Sequence, residues 1–342
     1  MPLVTLADMK ILVTGGAGYI GSITAKALEE AGHVPVILDS LLTGLQAFVR
    51  DRIFYEGDIG DRALVRRIVD EHPDLDATIH MAARIVVPES VQKPYEYYRD
   101  NVAKSLELFD QLAQLGKPRL VFSSSGSLYA IKDSFEVVED DPLAPTSPYA
   151  RTKWMIEQVL EDLTRATDLR AVMLRYFNPI GSDPDLESGI YAKEPSHVIG
   201  QLVMASRGLR DGFTVTGTDL PTRDGTGIRD YLHVWDLARA HVRAVERFDH
   251  VIETAGTPSV VVNVGRGEGV TVRELIEAFE RVTGREVPIT EAAPRPGDAV
   301  GAYANVDRAR ALLDWQTELS LDDAIASALA WADRRLEVLG YE

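Results

Sequence analysis

Tyr149 and Lys153 stand four residues apart in Ser147-Pro148-Tyr149-Ala150-Arg151-Thr152-Lys153, a spacing that on a helix sets a phenol beside an ammonium. Ser147 before Pro148 has the pattern of an N-cap followed by a first-turn proline. The same face continues through Ile156, Leu160 and Leu163, the spacing of a buried stripe, so Lys153 is expected to point inward. Lysine is rarely buried without a partner, which makes the pair a candidate site. A tyrosine of unperturbed pKa about 10 is a poor base at neutral pH, but a nearby cation favours the phenolate and brings proton transfer within reach. Upstream, Ser123-Ser124-Ser125 offers a hydroxyl to complete the set. Taken alone, the pair reads first as an ordinary amphipathic pair; its surroundings decide otherwise.

Those surroundings begin with a short apolar strand, Lys10 to Thr14, running into Gly15-Gly16-Ala17-Gly18-Tyr19-Ile20-Gly21 and then a helical pattern. Glycines at 15, 18 and 21 permit a tight turn, close approach of a pyrophosphate and close helix–strand packing, with a helix N-terminus facing the phosphates. A second strand ends at Asp39, eighteen residues beyond Gly21, where a carboxylate binds both adenosine ribose hydroxyls. Ser40-Leu41 supplies no arginine for a 2′-phosphate, so NAD is expected rather than NADP. Candidate cofactor contacts are therefore Gly15, Gly18, Tyr19, Ile20, Gly21, Asp39 and Ser40. Strands and helices go on alternating through the strand Leu120 to Ser123 and the strand Arg170 to Phe177, the pattern of a doubly wound parallel sheet with ligands at the carboxyl ends. Asp58-Ile59, Met81-Ala82-Ala83 and Ser123 fall at such ends; Asp58 also reads as a helix N-cap and the serines as a turn.

After Asn178 the pattern breaks into a long polar loop through Ser196, which in a compact protein is usually functional. Arg229 and Arg295, both in loops, are local cations for an anionic ligand. The expected fold class is α/β: a Rossmann-type doubly wound parallel sheet with a smaller, interleaved C-terminal α/β substrate domain. Residues 9 to 177 form the cofactor domain and 178 to 342 mainly the substrate domain, with some return to the first near 231 to 264.

Composition narrows the partners. With 342 residues and 45% apolar content the chain can build a large core. No run of about 18 apolar residues is present and the start lacks signal-peptide character, so a cytoplasmic protein off the membrane is expected. Acidic residues outnumber basic ones 53 to 36, a net charge of −17 that opposes nucleic acid. Cysteine is absent, which removes thiolate chemistry and cysteine zinc sites, and the seven histidines show no metal-ligand spacing.

The glycine pattern, Asp39, Asp58-Ile59, the serine triplet, Tyr149 with Lys153, Arg175-Tyr176-Phe177-Asn178-Pro179, Asp224 to Tyr231 and the closing Arg295-x-Gly-Asp298 together resemble the UDP-glucose 4-epimerases, members of the extended short-chain dehydrogenase/reductases. The resemblance implies that Tyr149 removes the proton of the sugar 4-hydroxyl and Ser125 hydrogen-bonds the same oxygen. It further implies that Lys153 binds the nicotinamide ribose and lowers the tyrosine pKa, and that Phe177 lines the nicotinamide pocket. Asn178, His197, Val198, Thr216, Arg229, Arg295 and Asp298 would hold the uridine diphosphate, and Ala302 would lie against the sugar, where a small residue admits an N-acetyl group. Helices near Tyr98 to Leu115 and Tyr149 to Arg165 form a dimer bundle in relatives, implying a homodimer. Many relatives have Ala-Thr where Gly126-Ser127 stands, and where some place a lysine near the pyrophosphate this chain has Ile85 preceded by Arg84. Alternatives within the superfamily are a uronate epimerase or a dehydratase, though a dehydratase would carry an Asp-Glu pair in place of Ser124-Ser125. An alternative of another class is a non-catalytic NAD-binding regulator.

Overall fold

Alternating apolar residues in Lys10–Thr14 send Ile11 and Val13 to one face and Leu12 to the other, and both faces are buried. A strand of that kind belongs at the centre of a sheet covered by helices on both sides. In the computed structural model, which describes residues 8 to 293 and 300 to 341, this strand (β1) lies within a seven-stranded parallel sheet. The others are β2 (Val34–Asp39), β3 (Ile53–Glu56), β4 (Leu75–His80), β5 (Arg119–Ser123), β6 (Arg170–Tyr176) and β7 (Ser259–Val264). Their order is β7-β6-β5-β4-β1-β2-β3, and Leu12 of β1 pairs in register with Val36 on one side and Thr78 on the other. The order in which strands are added reverses between β1 and β4, so the crevice of this doubly wound Rossmann-type sheet opens beyond Thr14 and His80.

On the Ile11 face the helices Tyr19–Glu30, Val234–Glu246 and Phe248–Ala255 pack over Val13, Ile79, Val121 and Val172. On the Leu12 face Arg62–Glu71, Lys104–Gln114 and Pro148–Ala166 cover Val36, Leu120 and Phe122. A separate core gathers Ile199, Leu202, Phe213, Leu275, Phe279 and Ile325 under the helices Val198–Ser206, Val272–Thr283 and Leu321–Leu339. A four-stranded sheet runs beside it in the order Val270–Thr271, Ile228–Arg229, Gly301–Ala304, Glu136–Val137.

Three elements differ from the sequence reading. The helix expected over Tyr98 to Leu115 begins with a π-helical turn, Tyr98–Ala103, and becomes α-helical only at Lys104. The sequence pattern from Val234 to Phe248 predicts one helix, but that helix stops at Glu246, and a second, Phe248–Ala255, closes on Gly256 in the left-handed conformation (φ 63°). The long loop after Asn178 starts as a short strand, Asn178–Ile180, paired in parallel with Tyr231–His233.

Candidate active site

The glycine turn has a separate physical reason at each position. Gly15 has φ +74°, and a β-carbon there would lie 2.7 Å from the Ala82 nitrogen. At Gly21 it would lie 2.1 Å from the Gly15 carbonyl oxygen. Gly18 caps the helix Tyr19–Glu30 with no side chain bonded to the first-turn N–H groups, which leaves them to a ligand. Ile20 follows in that first turn, and the Tyr19 hydroxyl donates to the Gly181 carbonyl (2.7 Å), joining the turn to the later loop. Met81, Ala82 and Ala83 are half-buried at the end of β4, and the Thr14 hydroxyl oxygen accepts from the Met81 N–H (3.3 Å).

Asp39 ends β2 and is buried, accepting from Ala17 N–H (3.0 Å) and Leu41 N–H (2.8 Å). Burial raises its pKa and these two donors oppose the rise. Each carboxylate oxygen keeps a further lone pair for a hydroxyl. Exposed Ser40 follows it. Bare main chain at a helix N-terminus, with a carboxylate at the neighbouring strand end, fits a dinucleotide with a free ribose 2′-hydroxyl.

Asp58 is not the helix N-cap. Asp61 holds that position, accepting from Ala63 and Leu64 N–H, while Asp58 accepts from Gly60 N–H (2.9 Å) and pairs with Lys104. Ile59 beside it is buried. Lys104 also reaches Asp100 (2.9 Å), to which the Arg84 guanidinium is bound at 2.7 Å, so Arg84 is committed to a carboxylate; Ile85 is exposed.

The helix Pro148–Ala166 starts as its sequence predicts, with the Ser147 hydroxyl accepting from Ala150 N–H (3.1 Å). Tyr149 and Lys153 are both buried on its inner face. The Lys153 ammonium donates to the Ser123 carbonyl (2.7 Å) and lies 4.8 Å from the centroid of the Phe122 ring. Burial pulls its pKa down to about 7, against the upward pull of Glu157. The phenol behaves differently from the expectation that Lys153 lowers it. Burial pushes the Tyr149 pKa up, and the lowering influence is its hydrogen bond with Ser125. With the ammonium directed at the Ser123 carbonyl, the cost of burying a phenolate dominates.

Ser125 caps the turn Gly126–Leu128, and its hydroxyl is 2.9 Å from that of Ser127. Ser123 donates to Nε2 of His241 (2.9 Å), whose Nδ1–H is bound to the Leu237 carbonyl (2.9 Å). Phe177 is half-buried and stacks on Tyr129, centroids 6.4 Å apart at 11°. A β-carbon at Gly126 would lie 2.7 Å from the Phe177 ring, so a glycine in place of the alanine of many relatives lets this ring pack closely.

Asn178 is exposed at the start of its short strand, its N–H bound to the Asp230 carbonyl (3.0 Å). Arg229 donates through one guanidinium nitrogen to the Ile228 (2.7 Å) and Val300 (2.8 Å) carbonyls, and pairs in register with half-buried Ala302. Gly301 has φ +128°, and a β-carbon there would lie 1.7 Å from the Ile228 oxygen. His197 is the exposed N-cap of the helix Val198–Ser206, accepting through Nδ1 from Gly200 N–H (3.2 Å), so Nε2 is its donor. Val198 opens that helix and Thr216 ends the strand Phe213–Thr216. Arg295 and Asp298 lie outside the described residues.

Two buried residues escape a reading by motif. Asn101, within the π-helical turn, accepts from Arg84 N–H (2.8 Å) and donates to the Arg84 carbonyl (3.0 Å) and the Thr152 hydroxyl (3.1 Å), tying the β4 loop to the helix of Tyr149. Glu157 continues the inner face one turn beyond Lys153 and is fully paired with Arg175. The available signal is the same for both: a poor helix former or a charge on a stripe otherwise apolar.

The NAD dependent epimerase/dehydratase family model matches residues 11–265, from β1 to just past the end of β7. A UDP-glucose 4-epimerase of Rhizobium meliloti (strain 1021) is 43% identical over 330 residues, covering 96% of this chain and 99% of the relative. The solved UDP-glucose 4-epimerase of Stenotrophomonas maltophila, with bound NAD and formylated UDP-arabinopyranose, is similar with a TM-score of 0.90 at 36% identity, over 96% of this chain and 99% of that one. That of Brucella ovis, in complex with NAD, has a TM-score of 0.87 at 40% identity, over 94% and 98%.

Proposed function

Because the chain belongs to the UDP-glucose 4-epimerases within the NAD-dependent epimerase/dehydratase family, we infer that it interconverts UDP-galactose and UDP-glucose through a 4-keto sugar, using NAD. The observation that carries this reading is the convergence of Tyr149, Lys153 and the Ser123–Ser125 segment at the carboxyl end of the sheet that also carries the glycine turn. NAD supplies the redox partner for C4, so the sugar is oxidised and reduced within one cycle and no net redox results.

The chain's own groups handle protons and position. Tyr149 takes the proton of the 4-hydroxyl and returns it, and Ser125 hydrogen-bonds the same oxygen. The buried, raised phenol needs added positive charge to act as a base at neutral pH, and Lys153 is the protein's cation nearest that role. Gly15, Gly18, Gly21 and the helix N-terminus with Tyr19 and Ile20 would hold the pyrophosphate, and Asp39 with Ser40 the adenosine ribose. Asp58 and Ile59 would flank the adenine, with Met81, Ala82, Ala83 and Phe177 along the rest of the cofactor. Asn178, His197, Val198, Thr216 and Arg229, with Arg295 and Asp298, would hold the uridine diphosphate. In this reading residues 9 to 177 are the cofactor domain and 178 to 342 mainly the substrate domain, with the return near 231 to 264.

Half-buried Ala302 in register with Arg229 supports a pocket that also admits UDP-GalNAc and UDP-GlcNAc. Exposed Ile85, Val86, Val87, Val91, Tyr95, Leu106 and Met155, on or beside the helices that pair in relatives, support a homodimer. No helix among the described residues is long and apolar enough to cross a membrane, which fits a cytoplasmic enzyme. The test is incubation of purified protein with UDP-galactose and, separately, UDP-GalNAc, followed by NMR. UDP-glucose appearing without added nicotinamide supports the reading; its absence from folded, NAD-loaded protein rejects it.

A further inference from the structure

Glu157 and Arg175 form an ion pair with both side chains almost wholly buried. Arg175 Nε and one terminal nitrogen bind the two carboxylate oxygens at 3.0 and 2.6 Å. Such a pair is weak support for stability, because desolvating two charges offsets their attraction. Its other bonds suggest what it is for. The oxygen that takes Arg175 Nε also accepts from the Ser124 hydroxyl (2.5 Å), directly beside Ser125. The remaining Arg175 nitrogen donates to the Tyr129 hydroxyl (3.0 Å) and the Glu139 carbonyl (3.1 Å). Tyr129 donates to Asn263 (2.6 Å) and stacks on Phe177. On its own helix, Glu157 is one turn past Lys153 and two past Tyr149.

We propose that the Glu157–Arg175 pair is a positioning element for the reaction: it anchors Ser124, and with it Ser125, to the helix of Tyr149 and Lys153, and it sets a carboxylate one helical turn from Lys153, where it opposes the loss of the ammonium's proton. The groups around Lys153 leave that second task to Glu157. His80 of β4 is fully buried and neutral, pulled down to about 3 by burial and by Lys153. Phe122 and the Ser123 carbonyl of β5 carry no charge, and Tyr176 of β6 and Tyr149 are buried phenols with raised pKa values. Among the described residues, Glu157 is the group that raises the Lys153 pKa, against burial. Burial disfavours the Arg175 cation as well, yet its bonds to Glu157 hold it protonated.

This inference rests on the epimerase reading, so the parent's conversion of UDP-galactose is the control. An inactive parent rejects that reading; an active parent leaves only the pair in question. Two variants are compared with it: Glu157→Gln, which keeps the shape and removes the charge, and the double variant Glu157→Leu with Arg175→Met, which leaves no unpaired charge to unfold the core. In folded, NAD-loaded protein both should lose about tenfold to a hundredfold in kcat with KM within about twofold, the pattern of misplaced reacting groups. The sign of the pH effect follows from the charge. Without the carboxylate Lys153 loses its proton more readily, so the alkaline limb of kcat in Glu157→Gln should move to lower pH. Parental kcat and an unmoved pH profile in either folded variant would overturn the proposal, as would a loss confined to KM.

Discussion

Alanine at Gly21 and alanine at Gly18 should fail for different reasons, and the difference can be worked from two distances. A β-carbon at Gly21 would stand 2.1 Å from the Gly15 oxygen, where ordinary contact is about 3.5 Å. Both sides of that contact are main chain, so relief requires moving the helix off the turn, an overpacking cost of about 3 kcal/mol. In a chain of 342 residues that lowers Tm by about 4 °C. At Gly18 the β-carbon would stand 3.2 Å from the same oxygen, a contact relieved by a few tenths of an ångström. The cofactor-free fold should then lose no more than about 1 kcal/mol, the ordinary range for an N-cap change. Its methyl would instead intrude where a pyrophosphate meets the helix N-terminus. Thermal unfolding of NAD-stripped protein, with NAD retention after gel filtration measured separately, tests both halves. Gly21→Ala is expected to lower both, and Gly18→Ala to lower retention alone. Equal losses of Tm in the stripped proteins would refute the account.

Tyr149→Phe removes one hydroxyl and little volume, so turnover should fall by at least about a hundredfold while NAD content and Tm stay near parental values; most activity retained would remove Tyr149 from the base role. Replacing Ala302 by Tyr should abolish conversion of UDP-GalNAc and preserve that of UDP-galactose; equal losses on both would show that this residue is not the gate. The depressed Lys153 pKa gives a signed stability effect. Above about 7 the folded protein has lost a proton that the unfolded chain keeps until about 10.4, so raising pH across that window stabilises the parent relative to Lys153→Met. Urea unfolding of both cofactor-free proteins at pH 7 and 9.5 measures it, and a gap that stays constant or moves the other way contradicts the buried, partly neutral lysine.

The fold was largely legible because its signals are local. Strand β1, the glycine turn and Asp39 each follow from side chains within a few positions of one another, as does the start of the Tyr149 helix at Ser147-Pro148. What escaped depends on partners distant in sequence. The Glu157–Arg175 pair joins a helix to a strand, and Asn101 acts on Arg84 and Thr152 from an irregular turn that no periodicity marks. The direction of the phenol's pKa is hidden from the sequence for a related reason: spacing shows that Lys153 is near, and only three dimensions show its ammonium turned to the Ser123 carbonyl. Asp58 reads as a cap in one dimension because its reach to Lys104 is invisible there.

The crossing of strands between the two cores constrains how this molecule can breathe. Glu136–Val137, from the first half of the chain, is hydrogen-bonded beside Tyr303 and Ala304, while Ser259–Val264, from the second half, lies along β6 from Ala171 to Tyr176. Each half thus keeps a finger inside the other, as in a two-way clasp. Swinging them apart would tear main-chain ladders in both directions, so a wide, jaw-like opening is closed to it. The proposed reaction, in which a sugar presents first one face and then the other to the cofactor, would therefore have to turn the ring over without the two halves parting.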